Sequence, residues 1–172
     1  AYRATGSTGD GYKIAEALGH TIVDAKPSLA PLETEEIYDL MGLSLKNVGI
    51  KIIDKNGKSV YEDFGEMVFT HFGVSGPIIL SASSHIRKID GHRLIIDLKP
   101  ALTFEQLDAR MLRDFEAFSR KNFSHALDEL IPKKLIPVII KLSEIPPETK
   151  IHQITKEQRH ALLSIIKGLT FT

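Results

Sequence analysis

The chain has no cysteine, which removes disulfides, thiol nucleophiles and zinc–thiolate sites together and suits a reducing cytosol. It has no excess of either charge, with Lys and Arg totalling 22 and Asp and Glu totalling 22. Nothing global steers such a chain to nucleic acid or to an anionic membrane, and no dense basic run supplies a local footprint. Long apolar runs are missing as well. "LIPVII" at residues 135–140 is far short of the roughly 20 residues a membrane-spanning helix needs. Residues 1–20 show no apolar stretch behind a basic start, so no secretory signal is read there. Internal repeats and low-complexity tracts are also absent. The expectation is a cytoplasmic protein without a nucleic-acid or membrane partner.

Against these absences stand 172 residues that are 42% hydrophobic and 26% charged, enough for one sizeable folded core. The first distinctive stretch is "TGSTGDGYKIAEALGH" at residues 5–20. Thr5, Gly6, Ser7, Thr8, Gly9, Asp10 and Gly11 offer hydroxyls and flexible amides ahead of a short helix carrying Ile14, Ala15 and Leu18. Unpaired N–H groups and the helix dipole favour an anion at such a helix start. Asp10 opposes a close phosphate and instead suits a helix cap or a ribose hydroxyl. A plain helix-capping turn is the simpler reading, because the stretch is neither a P-loop nor G-x-G-x-x-G. Such a turn normally follows a buried strand, and none precedes Thr5; residues 21–23 then read as a strand.

The middle of the chain has a strand period. Val48, Ile50 and Ile52 alternate with Gly49, Lys51 and Ile53. Asn56-Gly57 predicts a two-residue type I′ turn and an antiparallel return over residues 59–64. Further strands are predicted at 66–72 and 93–98, with a helix beginning near Pro77 between them. After Pro100 the pattern turns helical. Phe104, Leu107, Met111, Phe115 and Phe118 recur every three or four positions, an apolar stripe that reads as core, and Thr103 with Gln106 forms a capping box. Helical segments are predicted at 124–130, at 133–142 around Pro137, and at 156–167 behind a second box, Thr155 and Gln158. The expected fold class is α+β, a small antiparallel β-barrel or sheet followed by a small helical bundle.

"FTHFGVSGP" at residues 69–77 is the second stretch with chemical interest. Ser75 reads as an N-cap, Gly76 and Pro77 suit a first helical turn, and Gly73 permits a tight bend. A hydrolase reading makes Ser75 a nucleophile and His71 its base, yet the string lacks the last glycine of G-x-S-x-G. The plainer reading keeps His71 as a structural residue at a strand end. The remaining histidines show no metal-ligand spacing, so no metal is expected.

Three strings carry a resemblance: "TGSTGDGYKIAEALGH", "LSLKNV" at 43–48, and "GEMVFTHFGVSGPIIL" at 65–80. In this order and spacing they resemble the bacterial aminoacetone-oxidase-family flavoproteins, also called YhiN/BaiN-type NAD(P)/FAD-dependent oxidoreductases. The resemblance implies a β-barrel-like part and a small helical part inserted into a Rossmann-like FAD-binding domain. The chain then looks like an insertion cut out of such a flavoprotein. Residues 1–29 would be a remnant of the flavin domain and 30–100 the β-rich inserted domain, with 101–168 a helical subdomain and 169–172 the start of a returning strand. The strand before Thr5 would belong to flavin-binding segments of the parent chain. Those segments and a small-molecule substrate are the implied partners. FAD is implied in the full-length parent, with NAD(P)H as electron donor, and none is expected in this fragment. Residues Thr5 to Gly11 would lie near the flavin, and residues His71 to Gly76, Ser75 included, would face the substrate. The implied activity is hydride exchange between a nicotinamide and an organic substrate through the flavin, with this segment inactive alone. The rival reading is a non-catalytic protein-binding module built on the sheet and helices.

Overall fold

Side chains of alternating burial build the sheet. The computed structural model describes residues 3–36, 39–86 and 91–172. Six strands form a single sheet: β1 (Leu32–Glu33), β2 (Ser44–Ile53), β3 (Ser59–Phe69), β4 (Gly73–Ser75), β5 (Arg93–Asp97) and β6 (Leu169–Phe171). Their order is β1-β4-β3-β2-β5-β6, and every neighbouring pair is antiparallel. Val48, Ile50 and Ile52 of β2 are buried, as are Met67 and Phe69 of β3, Leu94 and Ile96 of β5, and Leu169 and Phe171 of β6. These side chains share the inner face of the curled sheet, which is apolar except along the first half of β3, where the exposed Asp63 lies opposite Ile50.

The two outer strands are drawn together. The Glu35 N–H donates to the Thr172 carbonyl at 2.6 Å. The Glu36 carboxylate accepts from the Thr172 N–H at 2.7 Å and from its hydroxyl at 2.6 Å. This clamp rolls the sheet into a barrel with its seam between β1 and β6. Burial opposes ionisation of Glu36, but the Thr172 hydroxyl and N–H and its own N–H outweigh that and hold its carboxyl below the usual range.

Five helices accompany the barrel among the described residues: α1 (Asp10–Ala17), α2 (Pro77–Ser83), α3 (Phe104–Ala117), α4 (Ile136–Ser143) and α5 (Lys156–Lys167). Both predicted capping boxes form, with Gln106 N–H to the Thr103 hydroxyl and Gln158 N–H to the Thr155 hydroxyl each at 3.2 Å. Leu107, Met111 and Phe115 of α3 and Leu162, Leu163 and Ile166 of α5 share one core with the barrel. Lys167 fastens the junction, pairing with Asp97 at 2.6 Å and donating to the carbonyls of Lys99 and Leu102 at 3.1 and 2.7 Å. No helix among the described residues is long and apolar enough to cross a membrane.

Several local expectations are corrected. Residues 21–23 form no strand; they are exposed and join no ladder among the described residues. The hairpin after β2 exists but its turn is wider than type I′. Only Gly57 takes positive φ, and its N–H closes on the Asp54 carbonyl at 2.9 Å while the Asp54 carboxylate accepts from Asn56 and Lys58. The strands predicted at 59–64 and 66–72 are one, β3, and the extra strand β4 follows it. Residues 124–130 do not form an α-helix. A 3-10 turn (Phe123–His125) and successive tight turns bury Ala126, Leu127 and Leu130 instead. A strand does begin in residues 169–172, as expected: Leu169–Phe171 pair with β5 as the sixth strand of the sheet. An inserted domain is expected to leave and re-enter its host at adjacent points, which would bring residues 1 and 172 together; that pair falls outside the described residues, because Ala1 is not among them.

Candidate functional site

The string "THFGVSGP" folds as a corner joining β3, β4 and α2, and most of its residues have a backbone reason to be there. The Thr70 hydroxyl accepts from the Gly73 N–H at 3.1 Å, and the Thr70 N–H donates to the Gly73 carbonyl at 2.8 Å, closing the turn. Gly73 lies so close to β1 that a β-carbon on it would sit 2.2 Å from the Leu32 carbonyl oxygen. Gly76 is the true N-cap of α2, at φ 103, and a β-carbon there would lie 2.8 Å from Met67 Cα. Pro77 opens the helix, as its missing N–H and fixed φ favour.

Ser75 is therefore not the cap; it lies half-buried in β4 opposite Val68. Its hydroxyl makes no hydrogen bond among the described residues, and His71 is not brought into hydrogen-bond contact with it. The nucleophile–base arrangement of a hydrolase is not formed. His71 stands at the tip of the turn, exposed, its ring edge-on to Phe72 with centroids 4.8 Å apart. The corner reaches the barrel seam through the Thr34 N–H, which donates to the Phe72 carbonyl at 3.2 Å.

Along that seam opens a cleft of about 1150 Å³. Its floor is apolar, with Ile52, Leu94 and Phe171, and its rim carries Lys26, Glu33, Glu35 and Arg93. An apolar cavity with a few charged groups at its mouth is the usual make-up of a small-molecule site. No local string announces it, because its walls come from the segment before β1, from Ser83 and Ile86, from residues 91–94 and from residues 171–172. His71 does not line it.

The glycine-rich stretch is set apart from both. Gly6 and Gly9 take φ 80 and 82, and Gly9 caps α1 without a side-chain hydrogen bond. The Asp10 carboxylate accepts from the Thr8 hydroxyl and lies 3.4 Å from the Lys13 ammonium. No residue of α1 is buried, and Tyr12, Ile14 and Leu18 are 50, 61 and 74% exposed. The apolar stripe of this helix faces away from the barrel core.

A six-stranded barrel carrying a helical unit between its last two strands defines the class of this domain. Residues 26–172 match the family described as HI0933-like protein barrel and H2TH domain, and the chain belongs to that family, the barrel and helix-two-turn-helix region of YhiN/BaiN-type flavoproteins. Residues 1–25 lie outside the match. The chain is 27% identical, over its whole length, to a 3-dehydro-bile acid delta(4,6)-reductase of Clostridium scindens, covering 43% of that protein. It is 28% identical over 94% of its length to a ribosomal RNA dihydrouridine synthase of Escherichia coli, covering 38% of it. A ribosomal RNA dihydrouridine synthase of Haemophilus influenzae is 30% identical over 97% of the chain, which spans 40% of that protein. The chain thus spans about two fifths of the relatives it matches.

Proposed function

We propose that this domain is the substrate-side wall of an FAD-dependent oxidoreductase that passes hydride between a nicotinamide cofactor and an organic substrate. The observation that carries the reading is the seam cleft. Lys26 and Thr172, the first and last residues of the stretch that matches the barrel family, both line it, so the cleft opens at the border of the barrel domain. A substrate held there lies between barrel and flavin domain. The residues at the amino end suit that cofactor in part. Gly6 and Gly9, at φ 80 and 82, shape the turn ahead of α1, and Asp10 suits a ribose hydroxyl more than a phosphate. The exposed stripe of α1 supports its belonging to a flavin-binding unit. When bound, the flavin supplies the hydride chemistry.

What this chain's own side chains contribute is placement, water exclusion and a proton. His71 is the proton donor in this reading, since histidine is the commonest general acid and this one is exposed and makes no hydrogen bond among the described residues; it stands outside the cleft, so the substrate has to extend from the seam past the Thr34 to Phe72 hydrogen bond to meet it. Ser75, with its hydroxyl uncommitted in β4, is the second polar side chain of the corner. His71→Ala in the whole flavoprotein should slow flavin reoxidation by substrate about 100-fold, with flavin content and melting temperature unchanged. A variant that keeps its rate and loses stability would show His71 to be structural and sink this role.

A second reading concerns the substrate: RNA in place of a small organic molecule. The names of two relatives support it, and so does the way the helical unit gathers its cations.

A further inference from the structure

Resting on the RNA reading, we propose that Arg120, Lys121, Lys150 and His152 form a docking surface for the phosphate backbone of RNA. These residues come from the turn after α3 and the turn before α5, with Lys150 28 positions beyond Asn122. Backbone pairing fixes them side by side. Asn122 bridges to Lys150, the Ile151 N–H donates to the Lys121 carbonyl at 3.1 Å, the Phe123 N–H to the Thr149 carbonyl at 2.8 Å, and the His152 N–H to the Ser119 carbonyl at 3.3 Å. His152 Nδ1 also lies 3.0 Å from the Ser119 carbonyl oxygen.

Two of the cations, Lys121 and Lys150, are held by neutral groups. The Lys121 ammonium lies 4.1 Å from the centre of the Phe118 ring, and the Lys150 ammonium donates to the Asn122 amide oxygen at 2.8 Å. Among the described residues no carboxylate pairs with Arg120, Lys121 or Lys150. Glu148 is the one acid within residues 119–123 and 147–152. Neutral partners order a long side chain without cancelling its charge, so an incoming phosphate meets a preset cation at a lower entropic cost. The last turn of α3 holds no basic residue and Arg120 and Lys121 lie beyond its C-cap, Phe118, so the helix dipole does not account for them. Lys150 and His152 arrive on the opposite segment. A patch of this kind neutralises phosphates and fixes register without reading bases. Whole-chain neutrality and the lack of a basic run argue against nucleic acid, but neither measures charges gathered from two distant segments.

The test is fluorescence anisotropy of a labelled RNA hairpin titrated with this chain at low and moderate salt. The triple variant Arg120→Glu/Lys121→Glu/Lys150→Glu should bind at least about 100-fold more weakly at low salt, and its log–log salt slope should flatten by about 2 to 3. Lys121→Arg/Lys150→Arg should keep the binding. Lys46→Glu/Lys55→Glu/Lys58→Glu reverses equal charge at exposed barrel positions and should leave it unchanged. Matching melting temperatures show that all variants fold. No binding by the unaltered chain, or equal loss from the barrel variant, overturns the proposal. Hairpin binding is read on this chain without flavin or turnover, so failure of the redox role and failure of the docking surface read out separately.

Discussion

Replacing Gly73 by alanine tests how the barrel corner is held. The new β-carbon would sit 2.2 Å from the Leu32 carbonyl oxygen, 2.9 Å from Glu33 Cα and 2.9 Å from the Thr34 nitrogen. All three are backbone atoms, so no rotamer change relieves the contact, and β1 must retreat by more than about 1 Å. That retreat breaks the pairing of Leu32 with Val74 and of Glu33 with Gly73, and it pulls on the Thr34 to Phe72 hydrogen bond. Overpacking against backbone falls in the upper part of its usual range, about 2–3 kcal/mol, and the weakened pairing of β1 adds about 1 kcal/mol, so the expected loss is about 3–4 kcal/mol. In a domain of this size that lowers Tm by roughly 6–16 °C. Urea unfolding followed by circular dichroism should show a lower midpoint with an unchanged slope. Gly42→Ala is the control: Gly42 has φ +82, but no atom lies within 4 Å of the place its β-carbon would take, leaving a left-handed backbone cost of about 1–2 kcal/mol. If Gly73→Ala costs no more than Gly42→Ala, close approach to β1 is not what requires glycine at 73.

Two further outcomes concern acid and the seams of the fold. Glu36→Gln removes the charge from the clamp on Thr172, so stability should fall by about 1 kcal/mol and the Glu35 amide should exchange faster; unchanged exchange would mean the clamp does not close the barrel. The Arg159 guanidinium, bonded to Asp108 at 2.6 Å, holds that carboxyl below the usual range, with a smaller contribution from His160 at 3.7 Å. Because the folded-state pKa is the depressed one, this stabilisation is present above the unfolded pKa and is lost as pH falls from about 4 through the folded value. Asp108→Asn should flatten the acid limb of the stability curve, and an acid limb of unchanged steepness would show the pair contributes nothing there.

The elements legible in the sequence are those whose signals are local. The boxes at Thr103 and Thr155 set the starts of α3 and α5, the period of Val48, Ile50 and Ile52 marks β2, and Pro77 marks α2. Elements that depend on distant partners are not legible in the same way. β4 is three residues long and exists because β1 and β3 flank it. Residues 21–23 have the composition of a strand but meet no neighbour among the described residues that would complete a ladder. Apolar spacing over 124–130 suits a helix, yet the Phe123 and Ser124 amides are taken by the Thr149 and Pro147 carbonyls, and tight turns bury the same side chains.

The site is legible in a different way. The string "THFGVSGP" reads as chemistry, and the structure divides it. Thr70 closes a turn, Gly73 and Gly76 yield to neighbouring backbone, and Pro77 starts a helix. Such constraints alone would give the string its particular spelling, so the string by itself is no argument for catalysis. What they leave over is the pair of side chains the corner does not use, His71 at the turn's tip and Ser75 in β4. The cleft has no string at all, since Ile52, Leu94 and Phe171 meet only after the barrel has closed. Chemistry in this domain therefore has to be sought where the fold places no demand on a side chain, and His71 is the residue at which that search is most cheaply lost or won.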